Sequence, residues 1–180
     1  MTGPRGRFVP DLNDPRDFVF LASGTGLAPF MSMIRKLNED YQSDPVGMKP
    51  RRIYVLHGVS VSSHLGYHKE LAHIAAETLK NPTRKLAVIY LPTISRPEMD
   101  PSWTGLKGRA ETLLEPSATS NTGAPGLQDI VKTMLGTSLR PETQVVYVCG
   151  HPGTVDGVMR VLLARGFRPD ADLKREKYYP

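Results

Sequence analysis

Short apolar runs alternate along this chain with longer segments of helical periodicity, and that alternation limits the possible folds more than any other feature. The runs at 17–22, 52–57, 85–91 and 144–149 are apolar almost throughout. Continuous apolarity over so few residues is typical of strands that are covered on both faces. Between these runs, apolar side chains recur every three or four residues, which indicates amphipathic helices.

The order of the predicted elements then indicates a fold class. Helices are predicted, from the N-terminus to the C-terminus, at 27–41, 65–79, 106–114, 127–135 and 153–165. A further edge strand is predicted at 173–179, and the Pro/Gly-rich residues 115–126 predict a surface loop. Because alternating strands and helices form parallel sheets with right-handed crossovers, we expect an α/β domain. Its Rossmann-like parallel sheet should have about five strands, with helices on both faces.

The length and composition of the chain limit the number of domains, the cellular location and the kinds of partner that we expect. A chain of 180 residues suits one globular domain. The single Cys149 excludes an internal disulfide, and no apolar run approaches the roughly 20 residues that cross a bilayer. We therefore expect a cytoplasmic protein that makes no membrane contact. The net charge of +5 fits a mildly basic surface, an acidic partner or a phosphate-bearing ligand. Nucleic-acid binding is not predicted, because the sequence has no stripe of basic residues interleaved with aromatic ones.

The residues that follow each predicted strand are the candidates for a ligand site, since open parallel sheets bind ligands at their carboxyl edge. After the first strand come Gly24, Thr25 and Gly26, followed by Leu27, Ala28 and Pro29 at the start of a helix. Glycines let a ligand approach the backbone closely, and the start of a helix offers amides and a positive dipole end. This turn predicts a pyrophosphate site, although a tight strand–helix turn without a ligand would have the same sequence.

A second candidate follows the third strand. Ser95 and Arg96 follow it after three residues, and Arg109 lies thirteen residues beyond Arg96. A hydroxyl and two guanidinium groups can hold a phosphate monoester by charge-assisted hydrogen bonds. The alternative is that both arginines are solvated surface residues.

The fourth strand ends in a third candidate. Cys149, Gly150, His151 and Pro152 stand at its tip, where a thiol beside glycines could face a flat ligand. Cys149 could equally be a small buried hydrophobic residue. His64 and His68 have the i, i+4 spacing of a helical metal pair, but no HExxH pattern accompanies them, and we predict no metal site.

These motifs occur together and in order, and the sequence resembles the C-terminal half of the ferredoxin–NADP reductase family over nearly its whole length. The motifs that carry the resemblance are GPRGRF, FVFLASGTGLAPFMSMI, YVLHGV with LGY, TISR with GR, VYVCGHPGTVDGV and EKYY. The family's flavin domain carries an Arg-x-Tyr-(Ser/Thr) motif that this chain lacks. The resemblance therefore implies that 1–16 are the remnant of a linker from a missing FAD-binding domain, and that 17–180 are the NAD(P)-binding domain.

The resemblance also implies a role for each candidate residue. Residues 24–29 would cradle the pyrophosphate, and Ser95, Arg96 and Arg109 would grip the 2′-phosphate of NADP(H). Residues lining the adenosine side would be His57, Gly58, Val59 and Ser60. Residues beside the nicotinamide would be Cys149 and Gly150, with His151 and Pro152 in the same loop. Near the flavin, the catalytic geometry would be held by Cys149, Glu176, Tyr178 and Tyr179.

The function implied is hydride transfer between NADPH and FAD, with electrons passed to or from a ferredoxin or flavodoxin-like carrier. The enzyme would be an oxidoreductase that is inactive without its FAD domain. Ser60 and Glu111 replace an arginine and an adenine-stacking tyrosine found in some relatives. Two alternatives therefore stay open: an NADH-dependent reductase module of an oxygenase or hydrogenase system, and a dinucleotide-binding module without turnover.

Overall fold

The computed structural model describes residues 8–81, 83–111, 114 and 139–177. A single parallel sheet runs through them in the order β4-β3-β2-β1-β5-β6. Its strands are β1 Asp17–Ser23, β2 Arg51–Val59, β3 Leu86–Ile94, β4 Leu106–Lys107, β5 Gln144–Gly150 and β6 Leu173–Lys177. Its helices are α1 Leu27–Ser43, α2 His68–Lys80 and α3 Pro152–Leu163.

Helices cover both faces of this sheet, as predicted. Alternate residues of each strand point to opposite faces, so Phe18 and Phe20 of β1 pack with α1 and α2. Val19 and Leu21, the other residues of the same strand, pack with α3. The prediction of an α/β domain with a Rossmann-like parallel sheet is confirmed.

The segment after β3 corrects one predicted element. A helix was expected at 106–114, but Leu106 and Lys107 form β4, in register with Thr93 and Ile94. This strand is additional to the five that were predicted. Thr93 Oγ1 donates a hydrogen bond to the Gly108 carbonyl at 2.8 Å, and Gly108 has φ 123. A backbone with that φ cannot continue a helix, so the apolar spacing here reflects an edge strand followed by a turn.

The second helix begins later than predicted. It starts at His68 and not at residue 65, because Tyr67 adopts a left-handed conformation with φ 57. His64 therefore lies in a separate 3₁₀ turn, Ser62–His64. His64 and His68 do not share a helix, which removes the geometric basis of a helical metal pair. The predicted loop at 115–126 and helix at 127–135 lie outside the described residues.

Part of the predicted linker packs tightly on the domain. The Phe8 ring lies 5.6 Å from that of Phe30 and 5.8 Å from that of Tyr147. The Asp11 amide donates to the Tyr147 hydroxyl at 3.2 Å. Residues 8–16 are therefore held against the α1 face. That residues 1–16 come from an FAD-binding domain stays a prediction.

Candidate functional site

A cavity of about 420 Å³ lies at the carboxyl edge of the sheet. It is formed by the segments that follow β1, β2, β3 and β5, the place where open parallel sheets bind ligands. Its lining residues are Ser23, Gly24, Thr25, Gly58, Val59, Ser60, His64, Ser95, Arg109, Ala110, Glu111, Gly150, His151 and Thr154.

Two glycines allow the loops after β1 and β5 to meet at this cavity. An ideal Cβ on Gly26 would lie 2.2 Å from the Cys149 carbonyl oxygen, a contact that no side chain makes. Gly150 has φ 137, and a Cβ there would lie 2.3 Å from Ser23 Oγ. The two strand ends are thus in direct backbone contact, and only glycine fits at either position.

Gly24 has a different role, because it faces open space. A Cβ on Gly24 would meet no atom within 4 Å, and its φ is 55, a left-handed conformation. Its carbonyl oxygen lies 3.1 Å from His57 Nε2. The buried imidazole of His57 therefore donates a hydrogen bond to this turn. Burial also lowers the pKa of His57, which keeps the ring neutral near pH 7.

The two helices that begin next to the cavity have different N-termini. No side chain caps the start of α1, where Gly26 is the N-cap residue. The start of α3 is capped, since the Gly153 amide donates to His151 Nδ1 at 3.1 Å. His151 is itself held in place, because its amide donates to Ser23 Oγ at 2.8 Å. Of the two, α1 is the helix whose N-terminus can receive an anion.

One wall of the cavity carries opposite charges side by side. Arg109 Nε lies 2.6 Å from Glu111 Oε1, and the two side chains are 59% and 13% exposed. The other carboxylate oxygen, Glu111 Oε2, is buried and has no hydrogen-bond partner among the described residues. The Glu111 side chain leans on α3 at Gly157, where an added Cβ would lie 3.0 Å from Glu111 Cγ.

The structure brings about half of the predicted site residues to the cavity. Those in its lining are Gly24, Thr25, Gly58, Val59, Ser60, Ser95, Arg109, Gly150 and His151. Those outside the lining are Gly26, Leu27, Ala28, Pro29, His57, Arg96, Cys149, Pro152 and Glu176. Tyr178 and Tyr179 lie outside the described residues.

Several of the residues outside the lining still shape the site. Cys149 is 0% exposed and its side chain belongs to the core on the α1 face, so its backbone rather than its thiol borders the site. Leu27, Ala28 and Pro29 form the first turn of α1. Arg96 is exposed and does not line the cavity, and Glu176 is an exposed residue of β6 paired with Cys149.

Sequence reasoning missed five of the lining residues, namely Ser23, His64, Ala110, Glu111 and Thr154. Ser23 and Ala110 directly adjoin predicted site residues, and Thr154 lies two residues beyond Pro152, so closeness in sequence could have found all three. Glu111 was noticed only as a replacement for tyrosine. Its ion pair with Arg109 depends on how the chain turns after β4, which no sequence pattern showed.

Two other kinds of feature are absent from the part of the chain that the structure describes. No group of three or more His, Cys, Asp or Glu side chains in that part of the chain could hold a metal ion. None of its helices is both long and apolar enough to span a membrane.

An open parallel sheet with a glycine turn at its carboxyl edge, next to an uncapped helix, defines the class of α/β domains that bind nucleotides there. The chain belongs to the oxidoreductase NAD-binding domain family, whose model matches residues 20–160.

Curated relatives share this sequence at low identity. The chain is 25% identical over 179 residues to the reductase component of phenol 2-monooxygenase from Pseudomonas sp. (strain CF600), covering 99% of this chain and 41% of that protein. It is 26% identical over 168 residues to ferredoxin–NADP reductase from Azotobacter vinelandii, covering 92% of this chain and 56% of that protein. The chain thus spans about half the length of the curated relatives it matches.

Solved structures share the fold. A ferredoxin NADP⁺ reductase from Neisseria gonorrhoeae with bound FAD and NADP matches with a TM-score of 0.61 and 21% identity, over 93% of this chain and 58% of that chain. A cytochrome P450 reductase from Amycolatopsis matches with a TM-score of 0.65 and 22% identity, over 99% of this chain and 43% of that chain.

Proposed function

We propose that this chain binds a nicotinamide dinucleotide, NADP(H) or NAD(H), across the carboxyl edge of its sheet and presents it to a flavin. The observation that carries the proposal is the turn at Gly24, which faces open space beside the uncapped start of α1. A turn of this kind receives a pyrophosphate without steric conflict. The family to which the chain belongs supports the same ligand.

The chain's own residues fit such a ligand along the whole cavity. The pyrophosphate would lie against Gly24 and Thr25, on the positive end of α1. The adenosine would lie over Ser60 and Ser95 at the ends of β2 and β3, and the nicotinamide over Gly150. When bound, the dinucleotide would supply a hydride, which is two electrons and one proton, for transfer to the flavin.

The roles of the residues near the flavin follow from this arrangement. Buried Cys149 would position the Gly150 loop through its backbone, which is in contact with Gly26. Glu176, Tyr178 and Tyr179 are proposed to help align the nicotinamide with the flavin. The FAD itself is proposed to be bound by residues other than these 180.

The whole protein is proposed to be an oxidoreductase that transfers electrons to or from a ferredoxin or flavodoxin-like carrier. The names of the Azotobacter and Neisseria proteins support a ferredoxin partner. The reductase component of phenol 2-monooxygenase supports the alternative, a reductase module that serves an oxygenase. A cytoplasmic location remains a prediction from the sequence.

Two observations point to different dinucleotides. Ser95 and Arg109 line the cavity and would favour the 2′-phosphate of NADP(H). The Glu111 carboxylate, paired with Arg109, would favour NAD(H). A dinucleotide-binding module without turnover would use the same cavity and is distinguished only by the absence of flavin reduction in the whole protein.

The first test is calorimetric titration of the chain with AMP, 2′-phospho-AMP and ADP-ribose, together with amide chemical-shift mapping. We expect binding, with shifts concentrated at 23–25, 58–60, 95, 109–111 and 150–154. Adenosine, which has no phosphate, is the matched control and should bind more weakly. Absence of binding by all of the phosphorylated ligands, or shifts centred away from the carboxyl edge, would overturn the proposal.

A further inference from the structure

We infer that Glu111 sets the preference of this site between a ribose 2′-hydroxyl and a 2′-phosphate, and that it favours the hydroxyl. The inference rests on the proposed function, because it concerns the same cavity. It identifies a specificity-determining residue that lies outside the predicted 2′-phosphate grip of Ser95, Arg96 and Arg109.

The first support is an acceptor that lacks a donor. Glu111 Oε1 is held by Arg109 at 2.6 Å, while Oε2 is buried without a hydrogen-bond partner among the described residues. A buried carboxylate oxygen without a donor is costly, and a group that donates to it is stabilising. Glu111 lines the cavity, so a ribose hydroxyl bound there can donate to this carboxylate once rotation about its terminal bond brings Oε2 to the cavity surface. A fully ionised phosphate has no proton to donate.

The second support is competition for one guanidinium. Of the two arginines in the predicted 2′-phosphate grip, Arg109 lines the cavity and Arg96 does not. The Nε of Arg109 already bonds to the Glu111 carboxylate. A 2′-phosphate that binds Arg109 therefore has to share the guanidinium with Glu111, and it brings added negative charge close to that carboxylate.

The third support is the way in which Glu111 is held. Its side chain leans on Gly157 of α3, where an added Cβ would lie 3.0 Å from Glu111 Cγ and 3.1 Å from Glu111 Cβ. Because only 13% of its side chain is exposed, Glu111 cannot turn its carboxylate toward solvent without losing the contact with Gly157. The negative charge therefore stays at the cavity wall when a ligand enters.

The test compares Glu111→Gln with the parent chain and with Glu77→Gln, which removes the same charge from an exposed position on α2. For each protein, the dissociation constants of AMP and 2′-phospho-AMP are measured by calorimetry at low and at high salt. We expect Glu111→Gln to raise the affinity for 2′-phospho-AMP relative to AMP by about tenfold at low salt. High salt should reduce this gain, and Glu77→Gln should leave the ratio unchanged.

A second variant separates charge from hydrogen bonding. Glutamine keeps an acceptor for the 2′-hydroxyl, whereas Glu111→Ala removes it, so AMP should bind more weakly to Glu111→Ala than to Glu111→Gln. The Glu111→Ala variant also tests the inference if Glu111→Gln fails to fold, since the relative gain in affinity for 2′-phospho-AMP should appear in both variants. If both ligands bind and their ratio stays the same in both variants, the inference is wrong and the proposed function stands. If the parent chain binds neither of these ligands nor ADP-ribose, the proposed function falls, and the inference with it.

Discussion

At the scale of single residues, His57 shows how a side chain outside the cavity can control it. Its Nε2 lies 3.1 Å from the Gly24 carbonyl, while its Nδ1 is buried without a hydrogen-bond partner among the described residues. The ring gives one hydrogen bond to the turn and leaves one acceptor unsatisfied. Its contribution to binding should therefore exceed its contribution to stability.

The corresponding prediction concerns His57→Leu. The substitution removes the donor to Gly24 and also the unsatisfied Nδ1, so the free energy of unfolding should change by only about 1 kcal/mol. AMP binding should weaken about fivefold, because the left-handed turn at Gly24 loses its support. Urea unfolding and calorimetric titration measure the two effects. His73→Leu, at an exposed position on α2, is the control; equal effects of the two substitutions on AMP binding would contradict the role of His57.

The two arginines predicted to hold a phosphate should behave differently. Arg109 lines the cavity whereas Arg96 does not. In Arg109→Ala the ligand loses a cation and Glu111 loses its ion pair, so 2′-phospho-AMP binding should weaken at least tenfold, about 1.4 kcal/mol. Arg96→Ala should cost less than threefold. Titration of both variants with 2′-phospho-AMP decides the matter, and a larger loss in Arg96→Ala would mean that the 2′-phosphate lies outside the described cavity.

At the scale of elements, the junction between β1, α1 and β5 depends on the absence of side chains. A Cβ added to Gly26, the N-cap of α1, would collide with the Cys149 carbonyl, whereas a Cβ added to Gly24 would meet no atom within 4 Å. The two glycines of one turn are therefore required for different reasons. Gly26 is required for packing, and Gly24 for its backbone conformation.

Substitution of each glycine by alanine should separate these reasons. In Gly26→Ala the Cβ would meet backbone atoms at 2.2 Å and 2.6 Å, so α1 or the Gly150 loop must move. We expect a loss of about 3 kcal/mol of stability and loss of AMP binding. Gly24→Ala should cost about 1–2 kcal/mol, the strain of a left-handed non-glycine residue. Thermal unfolding compares them, and equal costs would contradict the packing role of Gly26.

In the molecule as a whole, an ion-pair network centred on the buried Asp172 joins residues 14–16 to the segment that precedes β6. Asp172, whose side chain is fully buried, pairs with Arg16 at 2.7 Å and with Arg168 at 2.8 Å. Arg16 also pairs with Asp14 and donates to the Pro141 carbonyl. The guanidinium of Arg168, aided by that of Arg16, holds the pKa of Asp172 well below its usual range.

This network predicts a dependence of stability on pH. Because the folded-state pKa of Asp172 is lowered, its contribution is fully present above the unfolded-state pKa of about 4 and is lost as pH falls below it. Asp172→Asn should lower the free energy of unfolding at pH 7 by about 3 kcal/mol. Urea unfolding should show this difference shrinking between pH 5 and pH 3. Asp156→Asn, at an exposed pair with Lys177, is the control, and a difference that does not change with pH would contradict the role of the Asp172 charge.

The class of fold, and the edge of the sheet that holds the cavity, could be predicted from the amino-acid sequence. Buried parallel strands need continuous apolar residues and helices need apolar side chains on one face, so periodicity alone separated them in 17–22 and 27–41. The carboxyl edge followed from topology, and Gly24, Gly58, Ser95 and Gly150 lie at or close to the ends of their strands. Each of these predictions rests on a pattern among residues that lie close together in the chain.

Which of those residues face the cavity, and what they contact there, depends on how the elements pack in three dimensions. The burial of the Cys149 thiol, the support of Gly24 by His57 and the contact of Glu111 with Gly157 join residues distant in sequence. Likewise, Leu106 and Lys107 form a strand because β3 offers them an edge, which overrides their helical spacing. Such contacts depend on how separate elements pack, and a linear pattern records only which face of each element is apolar.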